Sequence, residues 1–275
     1  MKAFFGCQYA FLRVLFVAAV AAVALPGAAQ TPGDHAEIFA VLGAGKGGQF
    51  SLPQVRLADE ATAARINRAI ARAVLSAADE PVDTTVTLAR QLRQLASQPC
   101  CLRGARFQTL LNQGSLLSLK LTLEINGAYA YQRAHYLVFD LVSGQRLHLS
   151  TLVADSPAQL EQRLGAAVNR RLGEFLGDSA ALAPARRADL ADRFGWDGAR
   201  RRVRFSTAAA PTKAPALSLD EFALTTHALL LFYRVGLPAT MLADTPDEAY
   251  RFPYNRLQTR GRLAELILKG TSGTR

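Results

Sequence analysis

The residues of this sequence that could carry chemistry are its four histidines, a pair of adjacent cysteines and a dense group of arginines. His135 and His148 flank Asp140 in the aromatic stretch NGAYAYQRAHYLVFDLVSGQRLHL, residues 126–149. No histidine stands at a helical metal-ligand spacing from another His, Asp, Glu or Cys, and no GxSxG motif marks a nucleophilic serine. We therefore expect no metal and assign no catalytic residue, and we interpret Asp140 as a turn residue that accepts backbone hydrogen bonds.

The glycine-rich segment GAGKGG, residues 43–48, matches the GxGxxG spacing of dinucleotide sites. Such a site needs a helix directly after the glycines, so that the helix amino end meets the phosphates. The following QFSLPQV contains Pro53 and no helical periodicity. We interpret the segment as a hairpin loop and expect no cofactor.

The aromatic stretch offers a second kind of site. Tyr129, Tyr131 and His135 lie on a predicted strand, where aromatic side chains either join a core or form a surface for carbohydrate or protein. Both interpretations are open, because the sequence does not say which face of the strand meets solvent. These three residues are candidate ligand-binding residues.

Positive charge is concentrated in one region of a chain with a formal net charge of +10. Residues 163–204 contain ten arginines and five acidic residues. A solvated helical face would explain this excess, and so would an anionic partner such as teichoic acid, lipopolysaccharide or an acidic protein surface. Arg170 and Arg171 are the candidate ligand-binding residues here, and we do not expect nucleic acid as the partner.

The amino-terminal residues predict export. Lys2 and Arg13 precede an apolar run of twelve residues, and Pro26 and the small residues 27–29 follow it. This order is typical of a secretory signal peptide, and the run is shorter than the roughly 20 residues that cross a bilayer. We expect residues 1–29 to be removed after Ala29, no transmembrane segment to remain, and a periplasmic or secreted product.

Two cysteines follow the expected cleavage position, Cys100 and Cys101. Neighbouring Cα atoms are about 3.8 Å apart, shorter than most disulfides span, so a bond between them would be strained. In an oxidising compartment we expect a vicinal disulfide ahead of an intermolecular bridge, and free thiols last.

Hydrophobic periodicity predicts an α+β fold, with antiparallel β-hairpins packed against several helices. Helices are expected from Asp59 to residues 79–81, over 83–96, from a Ser156–Gln159 capping box through Phe175, and over 185–194. Strands are expected over 37–42, 107–111, 116–125, 129–141, 146–149, 203–205, 222–224 and 229–232, with turns at 112–114 and 143–144.

The order of these elements and several short motifs resembles the exported domain of RsiV-like lysozyme-sensing anti-sigma factors. It also resembles the non-catalytic amino-terminal region of PdaC-like peptidoglycan deacetylases, that is, domain of unknown function 3298 preceded by a DUF4163-like region. The motifs are ARINRAI (64–70), GSLLSLKLTL (114–123), DLVSG (140–144), LHLSTLV (147–153) and FPYNRL (252–257). Tyr129 stands where the family has histidine, and the hairpin after Phe232 is shortened. The resemblance implies a lobe over 30–125, a second lobe over 126–260 packed with it as one unit, and a tail over 261–275.

The function expected from these observations is that of an exported, non-enzymatic binding module of the bacterial cell envelope. By resemblance its ligand is a cell-wall glycan or a lysozyme-like protein, and the arginines favour an anionic envelope polymer over basic lysozyme. One alternative is an envelope hydrolase that brings His135 or His148 to a carboxylate such as Asp140 only in the fold. Another is a structural or assembly factor linked through Cys100 or Cys101. The oligomeric state is left open.

Overall fold

The fold is known from a computed structural model that describes residues 35–45, 48–77, 90, 102–126, 130–178, 182–207, 215–235, 237, 241 and 245–272. The predicted helix over 83–96, Tyr129 and both Cys100 and Cys101 lie outside these ranges, apart from residue 90 alone. Within the described residues the architecture is α+β, as predicted, and no helix there is both long and apolar enough to cross a membrane.

A five-stranded sheet forms the first part of the fold, with its strands in chain order. They are β1 (Glu37–Gly45), β2 (Gly48–Arg56), β3 (Leu102–Gln113), β4 (Leu116–Asn126) and β5 (Ala130–Asp140). Neighbours pair antiparallel except β2 and β3, which pair parallel through Phe50 and Ala105. The glycine-rich segment belongs to the β1–β2 hairpin, where Gly45 pairs with Gly48.

The turn between β3 and β4 lies at Gly114 and Ser115, slightly later than the predicted 112–114. Both residues have positive φ, 59° and 61°, as type I′ hairpin turns require. A Cβ at Gly114 would come within 2.6 Å of Leu266 Cδ1, so glycine is also needed for packing.

The first helix, α1 (Glu60–Ala77), covers one face of this sheet. Asp59 caps it as predicted, because its carboxylate accepts hydrogen bonds from Ala61 N at 3.0 Å and Thr62 Oγ1 at 2.5 Å. Apolar side chains at helical spacing on α1 meet the alternating leucines of β4 in one buried cluster. This cluster includes Ile66, Ile70, Val74, Leu117, Leu119, Leu121 and Leu123.

The segment after β5 differs in part from the prediction. Gly144 has a φ of 69°, consistent with the expected tight turn. The predicted return strand over 146–149 is wrong, since only Phe139 and Arg146 form an isolated bridge there. A 3-10 turn over Leu149–Thr151 follows instead.

Helix α2 (Pro157–Asp178) begins at the predicted capping box: Gln159 N donates to Ser156 Oγ at 3.3 Å, and Ser156 N donates to Gln159 Oε1 at 2.9 Å. Its apolar stripe, including Leu164 and Leu172, joins a buried cluster with Leu116 and Val138. Because Leu116 and Val138 alternate with the residues that face α1, this cluster lies on the opposite face of the sheet. Helix α3 (Pro184–Phe194) follows, and then the short hairpin β6 (Trp196–Asp197) and β7 (Arg202–Val203).

A second sheet has the order β10-β9-β8. Its strands are β8 (Phe222–Leu224), β9 (Ala228–Phe232) and β10 (Ala249–Pro253), of which the first two were predicted as a hairpin. The two sheets are joined by Ser118, whose buried Oγ accepts a hydrogen bond from Leu224 N at 3.0 Å. The rings of Tyr136 and Phe232 also stack with centroids 4.0 Å apart.

The carboxyl-terminal segment, expected to be a tail, contains helix α4 (Gly261–Ser272). Leu263 is fully buried, and Leu266 and Ile267 pack against the same cluster as α2. The helix is therefore part of the folded core.

Candidate functional site

Five arginines lie along the contact between α2, β10 and the 3-10 turn that follows β10 (Tyr254–Arg256). We call this set the arginine seam: Arg163, Arg170, Arg171, Arg251 and Arg256. Arg170 and Arg171 follow Arg163 by seven and eight residues, about two helical turns, which places all three on one side of α2. The seam joins two parts of the sequence about eighty residues apart.

Arg171 is the fixed member of the seam. Its guanidinium donates hydrogen bonds to the carbonyl oxygens of Asp247 and, at 2.9 Å, Ala249. The guanidinium carbon lies 3.9 Å from the centroid of the Tyr250 ring, a cation–π distance. Burial raises the pKa of Tyr250, so its phenol stays neutral beside the arginine. These contacts attach α2 to β10 and hold a positive charge between them.

Arg163 is held at the other end. Its Nη2 forms an ion pair with the buried carboxylate of Asp155 at 2.8 Å, and its Nη1 donates to Arg256 O at 2.8 Å. Asp155 also accepts a hydrogen bond from Gln258 N at 2.7 Å. The charge of Arg163 is therefore largely balanced, and its role is to tie the start of α2 to the segment after β10.

Arg170, Arg251 and Arg256 are exposed, and no described residue forms a hydrogen bond or ion pair with their guanidinium groups. Arg170, Arg171 and Arg251 all line a pocket of about 320 Å³. Two acidic residues, Glu174 and Asp247, also line it, so its charged side chains carry a net positive charge. A pocket with free guanidinium groups can pair with phosphate or carboxylate groups in bidentate geometry.

The structure does not bring together all the residues proposed from sequence. Tyr131 is 43% exposed, and His135 is partly buried opposite Leu121 in the register of β4 and β5. Both are an even number of residues from Leu137 and Phe139, the β5 residues that face α1, so they lie on the same face of the sheet as α1. Arg170 and Arg171 share one pocket, whereas Tyr131 and His135 form no part of it. Tyr129, Cys100 and Cys101 lie outside the described residues.

His135 has an unusual environment. Burial, followed by the charges of Arg133, Arg234 and Arg146, lowers the pKa of its imidazole from 6.5 to about 4. Its Nε2 is buried and has no hydrogen-bond partner among the described residues. At neutral pH the ring is therefore uncharged, and three cations disfavour its protonation.

The side chains that the hydrolase alternative requires do not form a catalytic arrangement among the described residues. Asp140 accepts hydrogen bonds from Val142 N at 2.9 Å and Ser143 Oγ at 3.0 Å, which is the turn role expected from sequence. His148 lines a groove of about 630 Å³ that also contains Ser218 and Asp220. Within the described ranges, no hydrogen bond links the imidazole of His148 to a serine or a carboxylate. The same part of the chain contains no cluster of three His, Cys, Asp or Glu side chains able to hold a metal ion.

Sequence reasoning missed the β10 half of the seam, namely Arg251, Arg256 and the ring of Tyr250. The signal available was the motif YRFPYNR at 250–256, in which arginines alternate with aromatic residues. That pattern does not show that the motif pairs with α2, because the pairing depends on the whole fold.

Comparison with known proteins shows which folds this one is similar to. No protein-family model matches the sequence, and no curated protein matches it. A solved DUF3298 family protein from Bacteroides fragilis NCTC 9343 has a TM-score of 0.51 and 11% identity, over 86% of this chain and 98% of that one. A second, from Pseudomonas aeruginosa PAO1, has a TM-score of 0.50 and 16% identity, over 84% and 96%. The fold is thus similar to that of DUF3298 family proteins, as the sequence resemblance implied, and at these identities the likeness concerns the fold alone.

Proposed function

We propose that this protein is a non-enzymatic binding module of the bacterial cell envelope, and that its arginine seam binds an anionic envelope polymer. The observation that supports the proposal is the pair of guanidinium groups of Arg170 and Arg251, which have no partner among the described residues and line one pocket with the fixed Arg171. Three arginines at one pocket carry more positive charge than its two acidic residues balance.

The extent of the seam favours a polymer over a single small anion. Eight residues separate Arg163 from Arg171, about 12 Å along the helix axis at 1.5 Å per residue. Arg256 lies beside the Arg163 end and Arg251 beside the Arg171 end, as their contacts and shared pocket show. A chain with repeated phosphate or carboxylate groups can contact both ends, which one anion cannot.

Three further considerations favour an envelope ligand. The signal-like amino terminus predicts export, and the polymers of the envelope carry phosphate and carboxylate groups. A lysozyme-like protein is a poorer partner, because lysozyme is itself basic and would be repelled by the seam. The resemblance to exported DUF3298-type domains agrees with a binding role.

The experiment is calorimetric titration with purified wall teichoic acid, and with dextran as the uncharged polymer. The test variant is Arg170→Gln/Arg251→Gln, and the matched control is Arg68→Gln/Arg72→Gln, which removes two exposed charges from α1 instead. We expect teichoic acid alone to bind, and the seam variant to lose at least about tenfold in affinity, or 1.4 kcal/mol, while the control changes little.

Three results would overturn the proposal. One is the absence of binding to teichoic acid and lipopolysaccharide at low salt. A second is equal loss in the seam variant and the α1 control, which would mean that only net charge matters. Lysozyme is titrated in parallel, and tight binding of lysozyme without polymer binding would also contradict the proposed ligand.

A further inference from the structure

A second pocket, separate from the one lined by Arg170 and Arg251, lies between α2, α3 and the β6–β7 hairpin. We call it the tryptophan pocket, and its volume is about 560 Å³, within the range of small-molecule sites. The residues that matter here are Gly173, Gly177, Ala188, Ala191, Trp196 and Arg201. Trp196 is the one tryptophan in the sequence.

The indole of Trp196 is held in position by the backbone around it. Gly195 has a φ of 64° and ends α3, and Trp196 then pairs with Val203 across the hairpin. Val203 N donates to Asn169 Oδ1 at 2.6 Å, which attaches the hairpin to α2. The ring is therefore fixed relative to both helices, as a binding wall must be.

Two glycines of α2 allow the side chains of Trp196 and Arg201 to approach the helix closely. A Cβ at Gly173 would lie 3.3 Å from Trp196 Cη2, and one at Gly177 would lie 3.6 Å from Arg201 Nη2. Since neither residue has a side chain, the indole edge and the guanidinium lie against the helix backbone. An aromatic wall and a positive charge thus border the same space.

The chemistry of the lining selects an acidic ligand with a flat apolar face. No carboxylate is among the described lining residues, whereas Arg187 and Arg201 both line the pocket. The guanidinium of Arg201 has no partner among the described residues, and neither has the indole Nε1–H of Trp196. The pocket is open to solvent, which suits a ligand that buries one face and keeps hydroxyl groups in water.

We propose that the tryptophan pocket binds a sugar ring that carries a carboxylate, of the uronic-acid type. The apolar CH face of the ring packs on the indole, and the carboxylate pairs with the guanidinium of Arg201. The site goes beyond the arginine seam, because attraction of a polyanion by charge needs no ring-shaped pocket. It would add recognition of a particular sugar.

Because the sequence has a single tryptophan, tryptophan fluorescence reports on this pocket alone. The protein is titrated with glucuronate at constant ionic strength while the tryptophan emission is recorded. Glucose is the control for an uncharged sugar ring, and acetate is the control for a carboxylate without a ring. We expect a saturable change with glucuronate only. In Arg201→Gln, whose side chain is exposed, the affinity should fall at least about tenfold.

The control is Arg170→Gln/Arg251→Gln, which removes the seam charges and should leave the glucuronate titration unchanged. This separates the two proposals. The seam variant should lose affinity for teichoic acid and keep its affinity for glucuronate, whereas Arg201→Gln should lose affinity for glucuronate and keep its affinity for teichoic acid. Tighter binding of an oligogalacturonate than of galacturonate would identify a sugar within a polymer, and equal affinity would identify a free sugar. No saturable change with glucuronate, the same change with acetate, or an unaffected Arg201→Gln would overturn the proposed site.

Discussion

The guanidinium of Arg171 stacks on the ring of Tyr250, with 3.9 Å between the guanidinium carbon and the ring centroid. The contact joins a helix and a strand that are far apart in sequence, and it coincides with hydrogen bonds from the same side chain to two backbone carbonyls. Arg171 is thus a structural residue on a surface where Arg170, Arg251 and Arg256 have no partner among the described residues. This difference separates variants that affect folding from variants that affect binding.

Replacement of Arg171 by alanine should therefore destabilise the fold. The change removes the stacking on Tyr250 and two charge-assisted hydrogen bonds, for an expected loss of about 1–3 kcal/mol in the free energy of unfolding. Urea denaturation measures this loss. The neighbouring Arg170→Ala is the control, since Arg170 is exposed and has no partner in the described part of the chain, so its loss should change stability by no more than about 0.5 kcal/mol. Equal losses in the two variants would contradict the assignment.

Ser118 should be needed to join the two sheets. Its hydroxyl is fully buried and accepts the hydrogen bond of Leu224 N. Ser118→Ala leaves that buried N–H without its partner, which should lower the free energy of unfolding by about 1–3 kcal/mol. Ser76→Ala, at an exposed position of α1, should be nearly neutral by the same measurement. A Ser118→Ala protein as stable as the wild type would show that Leu224 N finds another acceptor.

Much of the fold could be predicted from sequence because its signals are local. The Asp59 cap, the Ser156–Gln159 capping box and the alternating leucines of β4 each depend on neighbours within a few residues, and all are observed. The return strand over 146–149 failed because alternation alone does not ensure a pairing partner. Ser118 alternates with the leucines of β4, and its burial arises from the second sheet, about a hundred residues away.

The candidate site was only half predictable for the same reason. Arg170 and Arg171 stood out because arginines are dense around them, whereas Arg251 becomes relevant only when β10 lies beside α2. His135 and Tyr131 attracted notice for their residue types. That they share a strand face with Leu137 and Phe139 was readable from the sequence, but which face α1 would cover was not.

His135 should make the protein sensitive to acid. Its folded pKa, about 4, lies below the unfolded value of 6.5, so the folded state resists protonation. The free energy of unfolding therefore decreases as the pH falls from 6.5 towards 4. The decrease is at most roughly 3 kcal/mol, because each unit of pKa difference corresponds to about 1.36 kcal/mol. His135→Gln should lose less free energy of unfolding between about pH 7 and pH 4 than the wild type.

The measurement is denaturant unfolding at several pH values over that range, with His227→Gln as the control at an exposed position. The control should retain the acid sensitivity of the wild type. Identical pH profiles for His135→Gln and the wild type would show that this imidazole is not responsible.

The central claim, that the arginine seam binds an anionic envelope polymer by charge, is tested most directly by the salt dependence of wall teichoic acid affinity. Each arginine that pairs with a phosphate releases counterions, so the logarithm of the affinity should fall linearly with the logarithm of salt concentration. We predict a less steep slope and weaker binding for Arg170→Gln/Arg251→Gln, and a wild-type slope for Arg68→Gln/Arg72→Gln. An affinity independent of salt, or the same slope in all three proteins, would contradict the account.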